Sequence, residues 1–348
     1  MTTVQTVTGP VDSANLGVCL PHEHILNDVR SWWAQTNQIG LDDSLFRDAL
    51  VSEEILWELR HDPFGNLDNC VMDSLDTAVN ELATFRELGG ASVLEVTSIS
   101  IGRNLAGLRE VSERTGVAIV AGSGLYLDSS LTDEQRNMSV DQIADLLRLD
   151  LAGDSDGIKP GVIGEIGVSA DFMGPETNSL RAAARVQRES GLPMQVHLPG
   201  WFRLGHKVLD ICEEEGANPS AVVLCHMGPS GEDRRYQTSL AERGAWIQYD
   251  MLGMEVFYAD QNVQCPSDDE NARNLLGLVD AGYANQLLIS QDIFLKSLQR
   301  RHGGPGYGHI LQFFLPRLLR HGATEELTHQ LTVTNPRNLF ERAEGVTK

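Results

Sequence analysis

The chain has 348 residues, and 41% of them are hydrophobic, which is ordinary for a globular protein. Its 49 acidic and 27 basic side chains give a formal net charge of −22, which would repel nucleic-acid phosphates and anionic lipids. No segment approaches the roughly 18 consecutive apolar residues of a membrane helix. We therefore expect neither a nucleic-acid partner nor a membrane partner.

The N-terminal segment and the cysteines predict a cytoplasmic location. Residues 1–10 lack the basic start and the apolar middle of a secretory signal. The five cysteines are odd in number and form no CxxC pair, which favours free thiols in a reducing compartment over a disulfide framework.

Short β-branched, apolar runs alternate along the chain with longer segments of helical spacing, which is typical of parallel strands joined by crossover helices. The runs cover residues 16–24, 91–97, 118–126, 161–169, 193–199, 221–228, 245–252 and 287–294. Helical spacing is found, for example, over residues 76–88, 106–114, 180–189, 204–215 and 272–281. Eight such units predict an α/β fold of the (β/α)8 TIM-barrel type in a single domain, residues 1–348.

Residues 27–69 are too long for an ordinary connection after the first strand, so we expect an elaborated loop that caps the mouth of the barrel. An open, doubly wound sheet shares the same alternation of strands and helices. It is disfavoured because no GxGxxG motif opens a helix after the first strand.

A pair of histidines ends the first run, in the sequence Pro21-His22-Glu23-His24. Residues two apart in a strand point to the same face, so His22 and His24 are expected to project into the barrel while Glu23 points outward. Two imidazoles on one face form half of a metal site. The pair alone is common by chance, and its ordinary explanation is two partly buried histidines that have backbone partners.

Four more potential ligands lie at the carboxyl ends of later runs, where barrel active sites are found. Singly, each has an ordinary structural explanation, such as a buried ion pair, a core histidine or a helix cap. Jointly, they predict one metal centre at the ends of strands one, four, five, six and eight. The six predicted ligands are His22, His24, Glu165, His197, His226 and Asp292.

Four imidazoles and two carboxylates suit zinc, with manganese, cobalt or iron as alternatives, and are too rich in nitrogen for magnesium or calcium. Six ligands exceed the needs of one tetrahedral ion, so we expect two divalent ions about 3.5 to 4 Å apart. His22, His24 and Asp292 would hold one ion, His197 and His226 the other, and Glu165 would bridge them. Among the remaining histidines, His302 is the candidate for a supporting role.

The chain resembles the phosphotriesterase family of the amidohydrolase superfamily. The resemblance rests on the segments VQTVTG (4–9), PHEH (21–24), EVSERTG (110–116), AGSGLY (121–126), GEIG (164–167), VHLPG (196–200) and NPRNLF (335–340), together with Asp292. It implies a (β/α)8 barrel, a binuclear centre, hydrolysis by a metal-bridging hydroxide and a possible homodimer. Asp292 is then the expected general base and later proton donor.

Two departures from the family pattern refine this expectation. Organophosphate-degrading members bridge their metals with a carboxylated lysine, whereas Glu165 occupies that strand here and Lys159 lies at its opposite end. A bridging glutamate is typical of the branch of phosphotriesterase homology and phosphotriesterase-related proteins, which includes N-acetyltaurine hydrolase. Phosphotriesterases also have a relay histidine directly after the aspartate of strand seven, whereas Met251 follows Asp250 here.

Substrate contacts are expected from the loops around the mouth, and the candidate residues are Tyr126, Trp201, Arg203, Tyr258 and Arg301. The aromatic residues favour a small-molecule substrate with an apolar part, and an arginine could hold a carboxylate or sulfonate. The leading hypothesis is a zinc-dependent hydrolase of a carboxylic ester, lactone or amide. A phosphotriester hydrolase and a non-catalytic small-molecule-binding barrel remain as alternatives.

Overall fold

Eight parallel strands form a barrel at the centre of the computed structural model, which describes residues 2–36 and 43–344. Each strand pairs with the next one along the chain. The predicted (β/α)8 barrel is therefore confirmed. The strands are β1 (Val18–Glu23), β2 (Gly90–Glu95), β3 (Ala118–Ser123), β4 (Val162–Ile166), β5 (Met194–Val196), β6 (Val222–Leu224), β7 (Trp246–Tyr249) and β8 (Leu287–Ile289).

Seven helices connect successive strands around the outside of the barrel. They are α1 (Leu75–Glu87), α2 (Leu105–Thr115), α3 (Val140–Ala152), α4 (Gly174–Ser190), α5 (Gly205–Glu214), α6 (Arg234–Glu242) and α7 (Asp268–Asp280). After β8 come the helices Leu315–Arg320, Glu325–His329 and Asn335–Glu344, preceded or separated by π-helical turns at Ile310–Phe314 and Gln330–Thr334. No helix within the described ranges has both the length and the apolar character needed to cross a membrane.

Local sequence signals account for the ends of these helices. Gly116 and Gly191 end α2 and α4 with φ angles of 70° and 68°, a left-handed conformation that costs glycine little. Helix α4 begins at Gly174, six residues before the predicted start, because Pro175 fits the first turn and the Glu176 side chain caps it.

The core has two layers, as the strand alternation predicts. Val120, Val223 and Leu288 point into the barrel and pack with Trp246. Their strand neighbours, such as Ile119, face outward and pack against the helices. The barrel interior is thus filled with side chains below its mouth, and only the carboxyl ends of the strands are available for a site.

The seam between β1 and β8 is closed by the side chain of Glu23, which corrects the expectation that this residue simply points outward. Glu23 is fully buried. Its carboxylate accepts hydrogen bonds from Ser290 Oγ at 2.8 Å and from the backbone N–H groups of Gln291 and Ile293, each at 2.9 Å. Burial raises the pKa of Glu23 to about 7 although these hydrogen bonds favour the carboxylate.

The predicted cap lies at the mouth, although residues 37–42 fall outside the described ranges. It contains the helices Asp43–Asp48 and Leu56–Leu59 and a short strand, Asn27–Asp28, which pairs with Val71–Met72. Two further hairpins pair Thr3–Thr6 with Gly9–Asp12 and Phe257–Tyr258 with Val263–Gln264, and a short helix spans Asp133–Arg136.

Candidate metal centre and substrate cavity

The six predicted ligands converge at the carboxyl end of the barrel. His22 lies in β1 and Glu165 lies in β4. His24 and His197 follow directly after their strands, and His226 and Asp292 follow two and three residues after theirs. All six are at most 8% exposed. The parallel strands bring them together because every strand of a closed barrel ends at the same rim.

His24 and Asp292 approach each other on one side of this cluster. His24 Nε2 lies 3.3 Å from Asp292 Oδ1, and His22 Nε2 lies 3.6 Å from the same oxygen. The ligand atoms of these three residues all lie within 4.8 Å of one another, so the group could hold one metal ion.

Glu165 faces two sets of imidazoles with its two oxygens. Its Oε1 lies 2.8 Å from His226 Nε2 and 3.2 Å from His197 Nδ1, and these two nitrogens are 2.9 Å apart. On the other side, Oε1 lies 3.5 Å from His22 Nε2, and Oε2 lies 4.0 Å from His24 Nε2. One carboxylate therefore lies between the His197–His226 pair and the His22–His24 pair.

Buried hydrogen-bond partners orient three of the four imidazoles. His22 Nδ1 lies 2.8 Å from Gln195 Oε1, and His226 Nδ1 lies 2.9 Å from Asp250 Oδ1. His24 Nδ1 lies 2.9 Å from Thr97 Oγ1, whose hydroxyl donates in turn to Glu95. Each Nδ1 thus has a partner outside the cluster, and Nε2 is the nitrogen that faces into it and would be free to bind a cation when Nδ1 carries the proton.

This donor set fits a divalent transition metal. His22 Nε2 is buried and has no hydrogen-bond partner among the described residues, which is costly for a polar atom unless a cation accepts its lone pair. Imidazole nitrogens and carboxylate oxygens together are typical ligands of zinc and of similar ions. The cluster could therefore bind metal.

The electrostatics of the cluster also favour charge pairing. Burial opposes the charged form of His226, but Asp250 and Glu165 outweigh burial and hold its pKa well above the ordinary value. Burial opposes the charge of Glu165 as well, yet His197 and His22 hold its pKa well below the usual range. The carboxylates are thus kept ionised, in the form that binds a cation.

Two of the six residues have a backbone conformation that is rare outside glycine. His226 and Asp292 have φ angles of 58° and 52°. Such residues cost about 1 to 3 kcal/mol each and persist where the surrounding structure enforces them, often at functional sites. The strain sets the directions of these two side chains.

A cavity of about 600 Å³ opens above the cluster, with His24, Glu165, His197, His226 and Asp292 in its floor. Three predicted substrate contacts, Tyr126, Trp201 and Tyr258, line it. The Tyr126 hydroxyl lies 3.1 Å from His197 Nδ1.

The two predicted arginine contacts lie elsewhere, which corrects that part of the expectation. Arg203 is held outside the cavity by Asp233, at 3.2 Å, and by the ring of Tyr236. Arg301 is exposed and is not part of the cavity lining. Both lie in loops after barrel strands, and position in such a loop does not reveal whether a side chain reaches the cavity.

Two other basic candidates also lie away from the centre. Lys159 is exposed before β4, as its position in the sequence predicts. His302 is partly buried and does not line the cavity, so its supporting role stays a prediction.

Several residues that shape the site are not among the predicted contacts. Phe294 lines the cavity, and Thr97 and Glu95 orient His24. Trp32 and Phe64 also line the cavity, and both belong to the segment that was expected to cap the mouth. Glu95 carried a usable signal, because it is a carboxylate within an apolar strand, as Glu165 is. No sequence signal marked the three aromatic side chains as part of the cavity wall, since aromatic side chains in loops are common.

The fold and the site define a (β/α)8-barrel protein with a buried histidine–carboxylate cluster under an apolar cavity. The model of the phosphotriesterase family matches residues 2–340, and the chain belongs to this family. The resemblance inferred from the motifs is therefore confirmed. The family connects the chain with hydrolases.

Relatives of this chain come from animals and from bacteria. An N-acetyltaurine hydrolase of Tetraodon nigroviridis is 33% identical over 96% of both chains. A resiniferatoxin-binding protein of Rhodobacter sphaeroides is 48% identical, with a TM-score of 0.95 over 97% of this chain and 95% of the other. The phosphotriesterase homology protein of Escherichia coli, 24% identical, has the same fold, with a TM-score of 0.76 over 94% of this chain and 99% of that one.

Proposed function

We propose that the protein is a binuclear, zinc-dependent hydrolase of a carboxylic ester, lactone or amide. The observation that carries this proposal is the position of Glu165. Its Oε1 faces His197 and His226 and also lies 3.5 Å from His22 Nε2, and its Oε2 lies 4.0 Å from His24 Nε2, so the carboxylate lies between the two groups of histidines. A carboxylate in that position is suited to bridge two cations.

The remaining ligands divide between two ions in this proposal. His22, His24 and Asp292 would hold one ion, and His197 and His226 would hold the other. Manganese, cobalt or iron could replace zinc at such a donor set. Bound ions of this type lower the pKa of a water molecule towards about 7 and polarise a carbonyl oxygen.

Asp292 is the proposed proton carrier. Its carboxylate is 6% exposed, lines the cavity floor and lies beside both histidines of the first group. It accepts the proton of the attacking water and returns it to the leaving oxygen or nitrogen.

The bond type follows from the bridging residue and from one relative. A glutamate in place of a carboxylated lysine separates this chain from the organophosphate-degrading pattern. An N-acetyltaurine hydrolase, which acts on an amide as its name states, is 33% identical to it. We therefore place carboxylic amides, esters and lactones before phosphotriesters.

A substrate screen tests this order. Purified, metal-loaded protein is offered lactones, N-acyl amino acids, aryl esters and a paraoxon-type phosphotriester. Turnover of at least one carbonyl substrate, well above that of a matched Glu165→Ala preparation, is expected. Turnover of the phosphotriester alone would reverse the order.

A non-catalytic binding protein is the second candidate. The relative with 48% identity is described as a resiniferatoxin-binding protein, and the cavity of about 600 Å³ is large enough for a drug-sized ligand. A fully metallated preparation that binds such ligands but hydrolyses nothing in the screen would favour this function.

Location and assembly remain proposals as well. All five cysteines are buried free thiols, which fits the proposed cytoplasmic location. A homodimer is proposed on the resemblance alone, and light scattering of the purified protein tests it. The proposed partner is a small-molecule substrate.

A further inference from the structure

An aromatic wall extends from the histidine cluster to the rim of the cavity. Trp32 lies 6.1 Å from His197 and stacks on Phe64 at 5.3 Å, with an interplanar angle of 19°. Phe64 contacts Tyr258 at 5.0 Å, and Tyr258 contacts Trp201 at 5.8 Å. These centroid distances lie in the range of favourable aromatic pairs. The aromatic wall therefore comprises Trp32, Phe64, Tyr258 and Trp201.

The apolar surface continues out of the cavity. Phe202 and Met173 both belong to the lining and are 49% and 43% exposed. Large apolar side chains that remain in water at the rim of a cavity are a common feature of ligand-binding sites. The wall and rim together can bury a group larger than an acetyl chain.

No lysine or arginine belongs to the cavity lining in the described part of the chain. Arg136, which lies near the lining residue Asp128, is already paired with it at 3.0 Å. Asp171 lines the rim, is exposed and has neither a hydrogen bond nor an ion pair among the described residues. An anionic tail would find no cation on this wall and an unpaired carboxylate at its edge.

Glu176 is another carboxylate of the lining, and its side chain is unavailable to substrate. Glu176 is 1% exposed. It accepts from the backbone N–H groups of Asp128, Ser169 and Met173 and from the Ser169 hydroxyl, at 2.7 to 3.1 Å. It joins the loops after β3 and β4 and so keeps this side of the cavity in place.

We infer that the substrate carries a bulky, uncharged aromatic or branched apolar group next to the scissile carbonyl, and that anionic N-acyl sulfonates and carboxylates are excluded. The inference rests on the proposed hydrolase function and specifies its substrate class. Hydrolysis adds the OH of water to the acyl carbon as the bond to the leaving oxygen or nitrogen breaks, and the leaving atom receives the proton. The apolar group packs on the aromatic wall during this step.

Three p-nitrophenyl esters with one leaving group test this specificity. One acyl chain ends in a phenyl ring, one in an isopropyl group, and one in a carboxylate that has the shape of the isopropyl group. We expect kcat/KM for the isopropyl ester to exceed that for the carboxylate by about 100-fold, because the buried charge has no partner. The phenyl ester should exceed the isopropyl ester. Equal rates, or faster hydrolysis of the anion, would overturn the inference.

Variants assign the preference to the wall and to the rim. Trp201→Ala should lower kcat/KM for the phenyl ester by about fivefold to tenfold relative to the isopropyl ester. Trp57→Ala is the matched control, since Trp57 is 69% exposed and does not line the cavity. Asp171→Lys should lower the ratio of kcat/KM for the isopropyl ester to kcat/KM for the carboxylate ester. Asp171→Asn should lower this ratio less. An unchanged preference in Trp201→Ala would overturn the role of the wall.

A binding measurement separates this inference from the proposed function. Calorimetry with metal-loaded protein compares N-benzylphenylacetamide, a neutral aromatic amide, with N-acetyltaurine. Tighter binding of the neutral amide supports the inferred substrate class. If no ester is hydrolysed as well, the absence of hydrolysis overturns only the proposed hydrolase function. Tighter binding of N-acetyltaurine overturns the inference and leaves the hydrolase proposal intact.

Discussion

Asp250 is predicted to control metal affinity through His226, although it is not itself one of the six proposed ligands. Its Oδ1 lies 2.9 Å from His226 Nδ1, and its carboxylate also accepts the His226 backbone N–H at 3.0 to 3.1 Å. In Asp250→Asn, an amide NH₂ can face Nδ1. The imidazole would then carry its proton on Nε2, the nitrogen that is directed towards Glu165.

The expected loss follows from this change of tautomer. Removal of a residue that orients a metal-binding histidine typically weakens metal binding by about 10- to 100-fold. That factor corresponds to about 1.4 to 2.7 kcal/mol. Asp250 is fully buried and also accepts from Gln248 Nε2 at 3.0 Å, so solvent cannot replace the lost interaction and we expect the upper half of the range.

Competition with a chromophoric zinc chelator measures the affinity directly. Asp268→Asn is the matched control, because Asp268 is another buried aspartate that pairs with a histidine, His309, at 2.7 Å, but lies outside the cluster. Both variants should lose stability in thermal unfolding, and only Asp250→Asn should lose zinc affinity. Wild-type affinity in a folded Asp250→Asn protein would refute this reasoning.

Three further substitutions test the other proposed roles, two in the metal centre and one at the β1–β8 seam. Glu165→Ala should lose at least one metal per chain, measured by elemental analysis, together with hydrolytic activity, because it removes the only proposed bridge; full metal content would contradict the bridging role. Asp292→Asn should retain at least one metal but lower kcat by about 10²- to 10⁴-fold, and an unchanged kcat would exclude it as proton carrier. Glu23→Gln should lower the free energy of unfolding by about 1 to 3 kcal/mol in urea titrations, because an amide cannot accept all three hydrogen bonds across the β1–β8 seam. No loss of stability there would show that other contacts close the seam.

The barrel and the position of the cluster could be predicted because both depend on short-range patterns. Alternation of strands and helices identifies the units, and the closed topology then brings every strand end to one rim. His197 and His226 could thus be assigned to one site although 28 residues of chain separate them. Their distance of 2.9 Å confirms that they meet.

The walls of the cavity could not be predicted in the same way, because they depend on how long loops fold back. Trp32 and Phe64 come from the cap after β1, and their stacking brings together residues far apart in an irregular segment. Arg203 and Arg301 follow barrel strands in the sequence, yet their loops carry them away from the cavity. The position of a residue directly after a strand places it at the rim of the barrel. The direction of its side chain depends on how the loop packs.

Glu23 shows a third kind of limit. Strand alternation correctly places the Glu23 side chain on the opposite face of the strand from His22 and His24. For a charged residue, that outward direction suggests exposure to solvent. Buried donors that directly follow β8 lie on that side instead, and they hold the carboxylate at the seam. The contacts of an outward-facing side chain depend on the neighbouring strand, and the alternation pattern of one strand does not specify them.

Anomalous diffraction from crystals of the zinc-loaded protein, recorded above the zinc edge, tests the central claim most directly. We expect two peaks about 3.5 to 4 Å apart. One should lie among His22, His24 and Asp292 and the other beside His197 and His226, with Glu165 between them. A single peak, or peaks remote from these side chains, would contradict the binuclear centre.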